Sequence, residues 1–178
     1  GTLKIDIAEH IDKRTLRFMG PGAAYAHIAM GQAIADAGLD ESMIVNPMTG
    51  LIAGSGGPST SAMLAAHEVV KSTGATKRIG PFAVPKCMSS TVSANLATAY
   101  KIKGINFSIT SACSTSLHCI GMAAGQIALG NQDVMFAGGG EERLRAGATG
   151  RDHRINARRI LKRRGGAVQR RPHQLPQR

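Results

Sequence analysis

The stretch "INFSITSACSTSLHCIG", residues 105–121, decides how the rest of the chain is read. Apolar residues lead into a run of very small ones, then a cysteine, then more small residues in a helical pattern. This reads as a strand that gives way to a helix, with a lone thiol at the junction. A Cys in that position has the orphan N–H groups and the positive end of the helix beside it, and both favour its thiolate. Ser111, Ala112, Ser114 and Thr115 leave room around the sulfur. The competing reading of Cys113 is a small buried hydrophobe, and local features alone leave both open. Cys87 and Cys119 have no such setting and read as core residues.

Outward from this junction the same alternation repeats. "FMGPGAAYAHIAMGQAIADAGLD" (18–40) has apolar residues at helical spacing from about Tyr25 and ends at Gly38, a candidate C-cap. "TGLIAGSGGPSTS" (49–61) reads as a short buried strand, a Gly-rich turn and the start of a helix that "SAMLAAHEVVKS" continues. "TGATKRIGPFAVPK" reads as loop. "CMSSTVSANLATAYKIKG" (87–104) reads as a helix of small residues, packed from all sides and closed by Gly104. "STSLHCIGMAAGQIALG" is a helix ending at Gly130, and "QDVMFAGGGEE" a strand with a Gly-rich exit. Continuous apolar strands that alternate with helices predict an α/β fold, with a parallel sheet covered on both faces.

Length and composition agree with this. The 178 residues suit one ordinary domain, and 43% are hydrophobic, enough for a packed core. Aromatics are only 3% and Trp is absent, so the core is built from Ala, Ile, Leu, Val and Met. The net charge of +11 points first to nucleic acid. Its location removes that reading for most of the chain. Residues 1–142 hold ten Lys and Arg against ten Asp and Glu, whereas residues 143–178 hold eleven Arg, one Lys and a single acid, Asp152. That tail has no aromatic and few aliphatics, so disorder is expected there.

Other sites are weaker. Three cysteines without paired spacing argue against a disulfide framework and for a reducing compartment. Cys113 and Cys119 stand six apart with no second ligand pair, so zinc is not expected. His118 falls well around the helix from Cys113 and is a poor general base for it. His10, His27 and His67 have no motif around them and read as helix-surface or core residues. "GSGGPSTS" lacks the Gly-Lys-Ser/Thr of a P-loop. "GGGEE" could set Glu141 or Glu142 near a site, although a turn after a strand is the plainer reading. No apolar run reaches transmembrane length and no signal-peptide pattern is present. The chain opens on Gly1 rather than Met, so its natural start is expected upstream.

At "SACSTSLHCIG", with "GLIAGSGG" before it and "QDVMFAGGGEE" after it, the sequence resembles the beta-ketoacyl-acyl-carrier-protein synthases of bacterial fatty acid synthesis. "LHCIG", "VMFAGGGEE", "IDKRTLRFM" and "QAIADAGL" sit nearest the type I branch, and the match runs over roughly residues 5–142. The resemblance implies a thiolase fold: a duplicated α/β unit in five layers (αβαβα), working as a cytoplasmic homodimer. It implies Cys113 as the acyl-thioester nucleophile, which condenses its acyl group with a malonyl carrier thioester as carbon dioxide leaves. No metal or redox cofactor is implied. The small residues around Cys113 then make room for an acyl group. Acyl carrier protein is the implied partner, docked on Arg14, Arg17 and Lys77.

The sequence also departs from the family. Its two catalytic histidines, its active-site lysine and its Gly-Phe-Gly-Gly segment have no match here, nor does its first strand and helix. Condensation by this chain alone is therefore not expected, and a half of the fold is expected to expose apolar surface. After "GGGEE" the family continues with ordinary composition, where this chain turns Arg-rich. The division expected is a partial N-terminal ketoacyl-synthase domain over 1–142 and a tail over 143–178 that is read out of frame. Two alternatives stand beside this reading. One is a nucleic-acid-binding protein acting through the tail, and the other is a polyketide-type condensing enzyme. A chain-length factor would not keep Cys113.

Overall fold

In the computed structural model, residues 5–142 are described, together with the backbone of 143–144, 151–155, 159–164 and 167–169. The main helices and strands, in chain order, begin with α1 (Ile7–His10), α2 (Lys13–Leu16), α3 (Pro21–Ala37), α4 (Glu41–Ile44), β1 (Thr49–Gly54) and α5 (Thr60–Thr73). Then come α6 (Ala83–Cys87), α7 (Thr91–Ala99), β2 (Asn106–Phe107), α8 (Thr115–Ala128) and β3 (Val134–Leu144). Three short strands follow: β4 (Arg151–Ile155), β5 (Arg159–Arg164) and β6 (Ala167–Gln169).

The centre is parallel, as expected. β1 pairs in parallel with β2 on one side and with β3 on the other. All six residues of β1 are buried, which explains its unbroken apolar reading. The register sets Leu51 beside Phe136 and Ile52 beside Ala137. One face of this ladder, with Leu51, Ala53 and Phe136, packs against α3 and α7 through Ala23, Ala26, Ile28, Val92 and Leu96. The other, with Ile52, Met135 and Ala137, packs against Cys119, Ala123 and Ile127 of α8. Burying Ile52, Ile127 and Met135 contributes about 1.5–3 kcal/mol each. The outer side of α8 is apolar too: Leu117, Met122 and Leu129 are exposed.

Several boundaries differ from the sequence expectation. α3 starts at Pro21, four residues before the periodic pattern, because Pro suits a first helical position. Gly38 does close it, in the left-handed region. The segment read as loop after α5 holds a 3-10 turn (Thr76–Arg78) and α6. α7 is shorter than predicted and is exposed at Ala94 and Thr98 rather than packed on all sides. Gly104 does not cap it. Gly104 donates its N–H to the Thr49 carbonyl (2.9 Å), and the space a Cβ would need is taken by Gln132 and backbone. Cys87 is half-buried, whereas Cys119 is buried. The glycines of "GGG" lie inside β3 rather than past it. A Cβ at Gly140 would meet the Gly22 carbonyl, so this run is what lets α3 approach the strand.

The segments described beyond β3 are strands. β4 pairs antiparallel with the end of β3, and β5 with Val134–Ala137 and with β6. The other tail residues, and with them much of the expectation of disorder over 143–178, lie outside the described residues.

His27 on α3 stacks on Tyr100 (ring centroids 4.9 Å), and its buried Nδ1 has no hydrogen-bond partner among the described residues. Tyr100 donates its hydroxyl to the His27 carbonyl (2.9 Å), and burial pushes its phenol up to about 12. Burial also pulls the His27 imidazole below its ordinary value of 6.5, against the attraction of Asp12. Its stabilising contribution is then present in full above pH 6.5 and erodes as the pH falls from there through the lower folded value. Urea unfolding at a series of pH values checks this: His27→Phe should remove that part of the acid-side loss, and an unchanged profile would contradict it.

Candidate active site

The site is built where three parallel elements end on the same side. β2 exits through Ser108–Ser111 into a 3-10 turn, Ala112–Ser114, which runs directly into α8. Cys113 is the middle residue of that turn and is exposed. Ala112 has φ +48°, an unfavourable conformation for a residue with a Cβ. It swings the chain sharply enough to present the thiol at the head of the helix. Ser114 makes no side-chain cap at the head of α8, and the Thr115 N–H is taken by the Ala112 carbonyl.

Local hydrogen bonds hold this turn. The Thr115 hydroxyl, buried at 1% exposure, accepts from the Ser111 N–H (2.9 Å) and donates to the Ala112 carbonyl (2.8 Å). Ser114 N–H donates to the Ser111 carbonyl (3.0 Å). Ser111 Oγ lies 2.7 Å from His118 Nδ1. His118 thus serves the turn, and no contact with Cys113 is seen. Upstream, the Ser108 hydroxyl reaches the Ala53 carbonyl (2.8 Å), which ties the strand exit to β1. Cys119 shows the opposite setting on the same helix: burial pushes its thiol up, partly offset by the Ile109 backbone.

The floor of the site is the glycine loop after β1. A Cβ at Gly56 would lie 2.6 Å from the Ala112 carbonyl oxygen and 2.8 Å from Glu141 Oε1. Both carboxylates of "GGGEE" reach this loop. Gly56 N–H donates to Glu141 Oε1 (2.6 Å). Glu142 accepts from the Ser59 hydroxyl and from Ser61 N–H (3.2 Å), at the start of α5. The sequence offered "GGGEE" as a candidate, but its partners are more than eighty residues away. A small cleft beside it is lined by Gly20, Ser59, Lys86, Met88 and Glu142.

The basic residues lie elsewhere. Arg14 sits on α2 and Arg17 at its C-cap, both exposed. The Arg17 guanidinium lies 5.1 Å from the Phe18 ring centre and 5.2 Å from that of Phe82, and the two rings meet edge to face at 5.0 Å. That contact draws the segment carrying Lys77 toward α2, because Lys77 lies in the exposed turn just before Phe82. Lys13 and Arg78, also exposed, widen the patch. They were legible as neighbours in the sequence. Among the described residues, no group of three His, Cys, Asp or Glu side chains could hold a metal ion. None of the described helices is long and apolar enough to cross a membrane.

Comparison with known proteins agrees with this geometry. The beta-ketoacyl synthase N-terminal domain matches residues 6–160. The chain is 54% identical over 142 residues to 3-oxoacyl-[acyl-carrier-protein] synthase 1 of Haemophilus influenzae, covering 80% of this chain and 35% of that protein. It is 51% identical over 143 residues to the protein of that name from Escherichia coli K12, with the same coverage. The crystal structure of a beta-ketoacyl synthase from Burkholderia phymatum superposes with a TM-score of 0.63 at 27% identity, over 76% of this chain and 33% of that one. The chain therefore spans about a third of the length of the curated relatives it matches. The parallel ladder of β1, β2 and β3 and the exposed thiol at a strand-to-helix turn fall within that match, and the chain belongs to the beta-ketoacyl synthase family, with a thiolase-like fold.

Proposed function

We propose that the enzyme to which this chain belongs joins carbon to carbon in fatty acid synthesis, with Cys113 as its nucleophile. The observation that carries this is an exposed thiol on a positive-φ turn, at the head of a helix without a side-chain cap. The Cys113 thiolate attacks an acyl carrier thioester, and the carrier thiol leaves. A malonyl carrier thioester then loses carbon dioxide. The enolate so formed attacks the acyl-cysteine carbonyl, a carbon–carbon bond forms, and the Cys113 thiolate departs from a 3-oxoacyl carrier product. The Cys113 amide and the first turn of α8 are suited to the oxyanion of each tetrahedral intermediate. The family membership favours this reading over nucleic-acid binding through the tail.

The partner proposed is acyl carrier protein, an acidic surface met by Arg14, Arg17 and Lys77. Arg17 is held over two aromatic rings, which cuts the entropy lost on pairing. A homodimer in the cytoplasm is the setting proposed for the whole enzyme. For the chain itself, the division proposed is a ketosynthase portion over 1–142 and an Arg-rich tail over 143–178 entered through a change of reading frame. Sequencing the coding DNA around codon 143 tests that, and an intact frame would overturn it.

Cerulenin is expected to form a single adduct on Cys113, located by mass spectrometry of the digested protein and absent from Cys113→Ala. Folded protein that stays unlabelled would count against the nucleophile. Arg17→Glu is expected to weaken binding to acyl carrier protein about tenfold at low ionic strength, with the difference shrinking above about 0.5 M salt. Titration by fluorescence anisotropy reads this, and an affinity indifferent to both charge and salt would remove the docking role.

A further inference from the structure

From the hydrogen bond between Glu141 and Gly56 we infer that Glu141 is a positioning residue for the Cys113 turn, acting through the glycine loop beneath it. Three observations converge on this. Ala112, which immediately precedes Cys113, is held in a conformation that a residue with a Cβ disfavours, and such a conformation persists where its surroundings hold it from more than one side. The local bonds from Thr115 and His118 lie on the helix side of the turn. On the other side the turn rests on Gly56, whose missing side chain is what permits the approach of the Ala112 carbonyl. The Gly56 N–H is in turn fixed by Glu141 Oε1 at 2.6 Å. Glu141 is half-buried at the end of β3, the strand that also carries the core contacts with α8. The carboxylate therefore transmits the position of the sheet to the turn. Glu142 does a different task, since its oxygens go to Ser59 and Ser61 at the start of α5.

The inference rests on the reading of Cys113 as the nucleophile, and the three cysteines let one experiment separate the two. Iodoacetamide is added to the full chain and to Glu141→Ala, Glu141→Gln and Gly56→Ala, and the rate at each thiol is followed by mass spectrometry of the digest. The thiolate sulfur displaces iodide, so the rate reports how the turn presents it. Cys119, fully buried, reports folding by staying unlabelled, and half-buried Cys87 serves as an internal reference. Glu141→Ala and Gly56→Ala are expected to slow Cys113 about tenfold relative to Cys87, one by removing the support and the other by displacing it. Glu141→Gln, which keeps an acceptor oxygen, should stay within about threefold of the parent chain. If Cys113 of the parent chain reacts no faster than glutathione, the nucleophile reading fails. If it reacts fast but equally fast in Glu141→Ala, the positioning role alone is overturned. Labelling of Cys119 in both Glu141→Ala and Gly56→Ala would also overturn it, because the contact would then hold the fold and not the turn.

Discussion

The parallel ladder between Thr49–Gly54 and Val134–Gly139 is the constraint on which the rest depends. Parallel neighbours all point their C-terminal ends the same way, so whatever follows each strand gathers at one edge of the sheet. After β1 comes the glycine loop, after β2 the Cys113 turn, and at the end of β3 the two glutamates. These three pieces are far apart in the chain and meet because the ladder is parallel. The loss of register by one residue would send Ile52 and Met135 to the wrong face and would part α8 from its core contacts.

The edge so formed combines strain with support. A non-glycine residue at positive φ costs on the order of 1–2 kcal/mol. Ala112 bears that cost next to the thiol, and the hydroxyl of Thr115 offsets it with two hydrogen bonds. One helix then holds two thiols in opposed surroundings. Cys113 stands at its exposed head, while Cys119 is sealed against the sheet, where desolvation disfavours its thiolate. Reactivity here is a matter of place more than of residue type.

The basic patch follows a separate logic. Arg17 would be a mobile surface charge but for Phe18 and Phe82, which meet edge to face and hold its guanidinium over both rings. In a chain so poor in aromatics, two of its four Phe are spent on this arrangement. The outer side of α8 exposes Leu117, Met122 and Leu129, large apolar side chains of the kind that a larger protein covers. That agrees with a chain spanning about a third of its relatives' length.

The alternation of apolar runs and helical periods was legible in the sequence, and so was the Cys113 junction, because both are local patterns. The boundaries were less so. α7 looked longer than it is, since the helical reading ran on to Gly104, past the point where the chain turns at Lys101, which takes φ +54°. The glycines before Glu141 looked like an exit from the strand, yet they lie within it and admit α3. By itself the sequence determined that a thiol stands where a strand becomes a helix. Only the tertiary structure decided what lies beneath that thiol. A carboxylate that bonds an amide 85 residues away leaves no period and no spacing to read, because the parallel sheet alone brings the two together.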